Sequence, residues 1–179
     1  MFYNIIKRKL NIMIIGICGK SGSGKSTLSN KLLELIPDTV CLSIDEVGHK
    51  VLTFPEIKQE IEETFGIKNS DRKALGDIVF NNRHEMDKLA TIAWKYMEAE
   101  IDKFIEENKE HNIILDWILL PKTKFYDMCN YKFLVDTSYE VRLKRAMVRD
   151  HITKEAFNIR EKASIEYNKD DFDFIIKGD

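Results

Sequence analysis

Proline and cysteine are scarce in this chain of 179 residues, with three of each. Pro37, Pro55 and Pro121 stand apart, and no repeat, linker or low-complexity stretch divides the sequence. It therefore reads as one domain, residues 1–179, long enough for a full core. Cys18, Cys41 and Cys129 lack C-x-x-C spacing and read as reduced core thiols, which suits a cytoplasmic protein. His49, His84, His111 and His151 show no metal-ligand spacing. An excess of one charge is missing too: 28 Lys and Arg face 30 Asp and Glu, a net charge of −2. No basic field argues for nucleic acid or an anionic membrane as partner. No apolar run approaches the roughly 20 residues of a membrane span. The start, MFYNIIKRKLNIMIIGICG, imitates a signal peptide. Its apolar part is only as long as a strand and runs into a glycine-rich loop, so Met1–Leu10 reads as an extension, with Met13 an alternative start.

Glycine is sparse as well, eight residues, yet it gathers where the chain is organised. Ile12–Cys18 is apolar and rich in β-branched residues, which predicts a buried parallel strand. Gly19-Lys20-Ser21-Gly22-Ser23-Gly24-Lys25-Ser26 then reads G-x-x-x-x-G-K-S, followed by Thr27 and a helical run to Ile36. Strand, glycine-rich loop and helix together specify a phosphate-binding loop. Its backbone N–H groups can turn toward an anion, and the helix adds the positive end of its dipole. Residues Gly19 to Thr27 are the candidate nucleotide site. Lys25 is expected to reach the β- and γ-phosphates, and Ser26 to ligate Mg²⁺.

Further strands are expected at Val40–Ile44, Asn112–Leu120, Tyr131–Val135 and Phe172–Ile176. Helices are expected between them, the longest over about Arg83–Asn108, with later ones at about Tyr139–Val148 and Lys154–Tyr167. Asn69-Ser70-Asp71 offers a cap for a helix over Arg72–Phe80. The alternation implies a parallel sheet with helices on both faces. Residues 11–56 and 111–179 form the expected core, 57–110 a helical substrate lobe, and about 149–155 a lid.

Asp45 falls just past the second strand, at the carboxyl edge where open parallel sheets bind ligands. It is a candidate general base or magnesium holder, or else a turn residue. Asp116 is a candidate substrate or water-mediated magnesium group, or else a buried structural carboxylate. Asp136 reads as a helix cap. Arg142, Arg145 and Arg149 share one helix stripe suited to clamping phosphate, with Leu143 and Met147 facing the core. Trp94 and Trp117 read as core residues.

On these residues the chain resembles the dephospho-coenzyme A kinases from residue 11 onward. The segments that carry the resemblance are the phosphate loop, the strand ending at Asp45, Phe65-Gly66, and Asp71-Arg72-x-x-Leu75-Gly76-x-x-Val79-Phe80. Asp116 with Leu119-Leu120, Leu143-x-Arg145 and Arg149-Asp150 complete it. The resemblance implies a P-loop kinase three-layer sandwich with a five-stranded parallel sheet, a helical substrate lobe and a lid. ATP and Mg²⁺ would be used, and dephospho-CoA or a related nucleotide would be the small-molecule substrate. It also implies Asp45 as catalytic base, Arg145 and Arg149 as lid residues, and Arg72 as a contact to the coenzyme A portion. The chain departs from the family pattern at Trp94-Lys95 (His-Pro in the family), Ile118, Lys122, Ser164 (glutamine) and Lys177 (asparagine). Three alternatives stand beside this reading: a nucleoside or nucleotide kinase with another acceptor, a retired nucleotide-binding protein, and a GTP-binding switch. The last would use Asp45-Glu46-Val47-Gly48 as D-x-x-G and Asn168-Lys169-Asp170-Asp171 as N-K-x-D. Oligomeric state has no sequence signature here.

Overall fold

The computed structural model of the chain describes residues 12–68, 72–79, 82–162 and 164–179, without the side chain of Arg72. The expected cap at Asn69-Ser70-Asp71 lies outside them. Five strands, β1 Ile14–Cys18, β2 Thr39–Ser43, β3 Asn112–Asp116, β4 Tyr131–Asp136 and β5 Phe174–Lys177, form one sheet in the order β2-β3-β1-β4-β5. Every neighbouring pair is parallel. The loop-bearing strand β1 is central, with Ile17 level with Asp116 on one side and Phe133 on the other.

Side chains alternate across β1. Ile15 and Ile17 join Ile114 and Val135 in a buried cluster covered by Leu28, Leu32 and Leu33 of α1, Lys25–Leu35. Gly16 faces the other way. A Cβ there would lie 2.9 Å from Cys129 Sγ and 3.0 Å from Leu120 Cδ2. The turn Leu120–Lys122 and the region of α6, Lys124–Asp127, therefore lie directly on that face. With both faces covered, the strands can be apolar throughout, which is why β1 and β3 lack polar alternation. All three cysteines are free, and burial pushes the Cys129 thiol up to about 12.

Some expected boundaries shift for local reasons. β3 ends at Asp116, not Leu120, because Leu120 turns under the sheet and is fully buried there. β2 ends at Ser43, whose ladder partner is that last residue of β3. Beyond it, Ile44, Val47 and Val51 recur at helical spacing, and all three are buried. Asp45 is thus in the first turn of α2, Ile44–Val51, and does not end a strand. β5 begins at Phe174, and the helix expected to reach Tyr167 stops at Lys162.

Two compact units result: Met1–Ser43 with Asn108–Asp179, which carries the sheet, and Ile44–Glu107. The second is helical: α2, α3 (Pro55–Phe65), α4 (Arg72–Val79) and the long α5 (Arg83–Glu107). Its core includes Val47, Val51, Ile57, Ile61, Ile92, Met97 and Ile101. Gly66 ends α3 in the left-handed conformation at φ 66°, as a helix-terminating glycine does. Trp94 is half-buried here, while Trp117 in the sheet unit is buried.

In the sheet unit, α7 (Tyr139–Asp150) and α8 (Lys154–Lys162) pack through Leu143, Ala146 and Phe157. Met147, expected to face the core, is exposed instead. Phe157 is 1% exposed and meets Tyr139 edge-on at 5.6 Å. Phe157→Ala is expected to cost about 3–5 kcal/mol of stability, lowering Tm by roughly 6–20 °C for a protein of this size, as measured by calorimetry.

Candidate active site

The loop between β1 and α1 is a tight turn held from outside. Ser23 N–H donates to the Lys20 carbonyl at 3.1 Å, closing residues 20–23. Gly22 sits at φ 78°, and a Cβ on it would lie 2.7 Å from the Arg142 carbonyl oxygen. Only glycine combines that backbone angle with that approach. The buried hydroxyl of Thr137, just after β4, donates to the Ser23 carbonyl at 2.7 Å. Gly19 N–H donates to the Tyr167 hydroxyl at 3.2 Å, and Tyr167 donates to the Ile118 carbonyl at 2.7 Å. Lys25 and Ser26 open α1, where unpaired helix N–H groups and the dipole favour an anion. The Lys20 side chain turns outward to Glu161 (3.1 Å) and Glu166 (2.5 Å). Burial alone would lower its pKa, but the bonds to Glu166 and Glu161 outweigh it and raise it.

The three arginines of α7 do not act alike. Arg142 is 5% exposed and forks onto Glu161 at 2.7 and 2.8 Å, with its Nε donating to the Thr137 carbonyl at 3.1 Å. It is a structural ion pair and not the expected phosphate clamp. Arg145 donates to the carbonyls of Ser23 (3.4 Å) and Gly178 (2.8 Å), beside the loop. Arg149 lies on Asp150 at 2.7 and 3.0 Å and approaches the Ser21 hydroxyl at 3.5 Å. Arg160 also donates to Asp150, at 2.8 Å. Arg149 first, then Arg160, holds the Asp150 carboxyl down at about 2.

Asp116 is buried at the end of β3. The Ser29 hydroxyl, 3.1 Å from Asp116 Oδ2 and 3.1 Å from the Lys25 carbonyl, links that carboxylate to the first turn of α1. Asp136 does not cap a helix. It takes Lys169 and Lys177, each at 2.7 Å, and these bonds lower its pKa. The Arg72 side chain, a candidate substrate contact, lies outside the described residues. A cavity of about 400 Å³ opens beside the loop, lined by Gly24, Thr27, Lys31, Arg145, Ile176 and Asp179 among others. Its size is that of a small-molecule site.

The dephospho-CoA kinase family model matches residues 13–177. The chain belongs to this family. A dephospho-CoA kinase from Fusobacterium nucleatum is 34% identical over 156 residues, covering 82% of this chain and 78% of the relative. The solved structure of a dephospho-CoA kinase from Campylobacter jejuni has 27% identity and a TM-score of 0.58, covering 93% of this chain and 88% of its own. A solved structure from Thermus thermophilus has a TM-score of 0.78 over the same shares at 21% identity, which speaks for the fold alone. The chain is a P-loop kinase in fold, and a phosphoryl-transferring enzyme of the dephospho-CoA kinase family. Among the described residues no helix is long and apolar enough to cross a membrane.

The patterns of a GTP switch have structural uses instead. Asp45-Glu46-Val47-Gly48 lies inside α2. Asn168 accepts from the Asp170 N–H at 3.4 Å and donates to Asp171 at 3.3 Å, while Lys169 pairs with Asp136. Thr137, Glu161 and Tyr167 went unnoticed in the sequence. One signal was available: Tyr139, Arg142, Leu143 and Ala146 follow the spacing of a buried helix face, which places Arg142 inward. Gly22→Ala is expected to weaken ATP binding roughly 5- to 150-fold, the equivalent of the strain of a non-glycine residue at that backbone angle, measured by titration calorimetry.

Proposed function

We propose that the chain transfers the γ-phosphoryl group of ATP to the 3′-hydroxyl of dephospho-CoA, giving CoA. The observation that carries this reading is the family match over residues 13–177, which takes in the phosphate loop, Asp45, Asp116, Arg145 and Arg149 in one span. The adenosine of ATP occupies the cavity beside the loop, and its phosphates run along Gly19–Thr27 onto the start of α1. Lys25 neutralises the β- and γ-phosphates.

Mg²⁺ suits the donors at hand, which are hard oxygens: the Ser26 hydroxyl, and the Asp116 carboxylate acting through water. When bound, the ion offsets charge on the phosphate oxygens. Asp45 takes the proton of the acceptor hydroxyl. Arg145 and Arg149 stabilise charge on the phosphoryl group as it moves. The helical unit, with Arg72, receives the coenzyme A portion. The segment around residues 149–155 closes as a lid and keeps water from the phosphoryl group. The reaction runs in the cytoplasm.

The test is formation of CoA from dephospho-CoA and ATP, followed by mass spectrometry alongside a panel of nucleosides and nucleotides. CoA as the dominant product is expected. Phosphorylation of another acceptor, with dephospho-CoA inert, overturns the reading. Lys25→Ala should cripple turnover and weaken ATP binding with the fold intact, because a loop lysine meets phosphate and fills no core. Unchanged turnover in that variant removes the phosphate-loop assignment.

Asp45→Asn keeps shape and removes charge and basicity. As a general base, Asp45 should contribute on the order of 10²–10⁴-fold in rate, so the variant should bind ATP and melt normally yet turn over at least about a hundredfold more slowly. A rate within a few-fold of wild type makes Asp45 a helix-start residue only.

A further inference from the structure

We propose that Glu161 and Lys20 are positioning residues that hold the phosphate loop in its anion-binding shape before nucleotide arrives. The inference rests on ATP being bound at this loop, as proposed above.

Lys20, Glu161, Arg142, Thr137 and Ser23 form a closed circuit of hydrogen bonds. Glu161 Oε1 accepts from Lys20 Nζ at 3.1 Å and from Arg142 at 2.8 Å, and Oε2 accepts from Arg142 at 2.7 Å. Arg142 Nε donates to the Thr137 carbonyl at 3.1 Å, and the Thr137 hydroxyl donates to the Ser23 carbonyl at 2.7 Å. Ser23 N–H returns to the Lys20 carbonyl at 3.1 Å. Both ends of the turn 20–23 are thus fastened to one buried guanidinium, and Gly22 between them lies against that residue's backbone.

Of the circuit's residues, Ser23 lines the nucleotide cavity, whereas Lys20, Thr137 and Arg142 do not. Lys20 and Arg142 line a separate cavity of about 170 Å³, with Glu166 and Tyr167. That is below the size of ordinary ligand pockets. The Lys20 charge is satisfied there by two carboxylates. Lys20 therefore acts on phosphate through the loop backbone and not by contact.

A loop whose amides converge on one point loses affinity in proportion to the fraction of time it spends out of that shape. Cutting the tie at Lys20 leaves Arg142 paired to Glu161 and the core untouched, so the cost of Lys20→Met should fall on nucleotide binding and not on stability. Because binding of ATP selects the competent loop, the rate at saturation should change little.

The experiment uses the full chain and two conservative changes, Lys20→Met and Glu161→Gln, singly and together. ATP binding is measured by titration calorimetry without acceptor, and KM and kcat by turnover. Lys20→Met should weaken ATP binding about tenfold, as for a loop competent about a tenth of the time. KM for ATP should rise in step, with kcat within about twofold and Tm nearly unchanged. Glu161→Gln should weaken ATP similarly, and the double variant should be no worse than the weaker single one, because both cut one tie.

If Lys20 instead contacts phosphate directly, Glu161→Gln leaves Glu166 as its one carboxylate to give up and tightens ATP, which overturns the proposal. Unchanged ATP affinity in Lys20→Met, with wild type binding normally, overturns this proposal alone. Wild-type protein that binds no ATP overturns it together with the functional reading. If Glu161→Gln fails to fold because Arg142 needs a full carboxylate, Lys20→Met still decides by its KM and kcat.

Discussion

A backbone that points several N–H groups at one place repels itself when no anion is present, so it must be held from behind. That constraint governs the sheet unit. The turn at residues 20–23 has its glycine on the Arg142 backbone, its carbonyl on the Thr137 hydroxyl and its lysine on Glu161. Arg142 can be buried because it forks onto a carboxylate and gives its Nε–H to a carbonyl, satisfying three of its five donors. Removing one partner of such a buried pair leaves an uncompensated charge, commonly at a cost of about 3–5 kcal/mol. The loop is therefore built on an element that the rest of the unit cannot easily release.

The central part of the fold was legible because its signals were local. β1, the loop and α1 each announced themselves by apolar run, glycine spacing and helical period, and the four other strands were found within a few residues. Boundaries moved where tertiary pairing decided them. Nothing local tells that the apolar stretch Ile118–Leu120, next to a strand, turns so that Leu120 fills the space left by Gly16 while Leu119 stays exposed. Ile44 reads equally well as a strand end or as the first buried residue of a helix. It became the latter because β3 offers no partner past Asp116.

The supporting residues were illegible for a different reason. Tyr167 meets Gly19, and Glu161 meets Lys20, across more than a hundred residues of sequence. Neither contact follows a period or a motif. Two departures from the family pattern also find partners only in three dimensions. Lys177 shares Asp136 with Lys169, and Lys95 pairs with Glu60 at 3.1 Å, where the Tyr96 hydroxyl also donates at 2.8 Å. These replacements bring a charge that a nearby carboxylate receives, so each is accommodated within its own unit.

The arginine stripe shows why equal spacing does not give equal roles. Arg142, Arg145 and Arg149 share one helix, but their partners differ in cost of release. Arg142 is locked by burial. Arg145 rests on two carbonyls, dipoles that hold a cation less tightly than a carboxylate does. Arg149 does sit on a carboxylate, but its side chain is 62% exposed, and an ion pair in that setting contributes only about 0–1 kcal/mol. A phosphate bound beside Ser21, as the proposed function requires, would therefore compete for Arg149 at little cost. Asp150, when it gives up that guanidinium, still keeps Arg160. The gradient from locked to releasable along one helix would let a single element both fix the loop and, on the function proposed above, supply charge to what the loop binds.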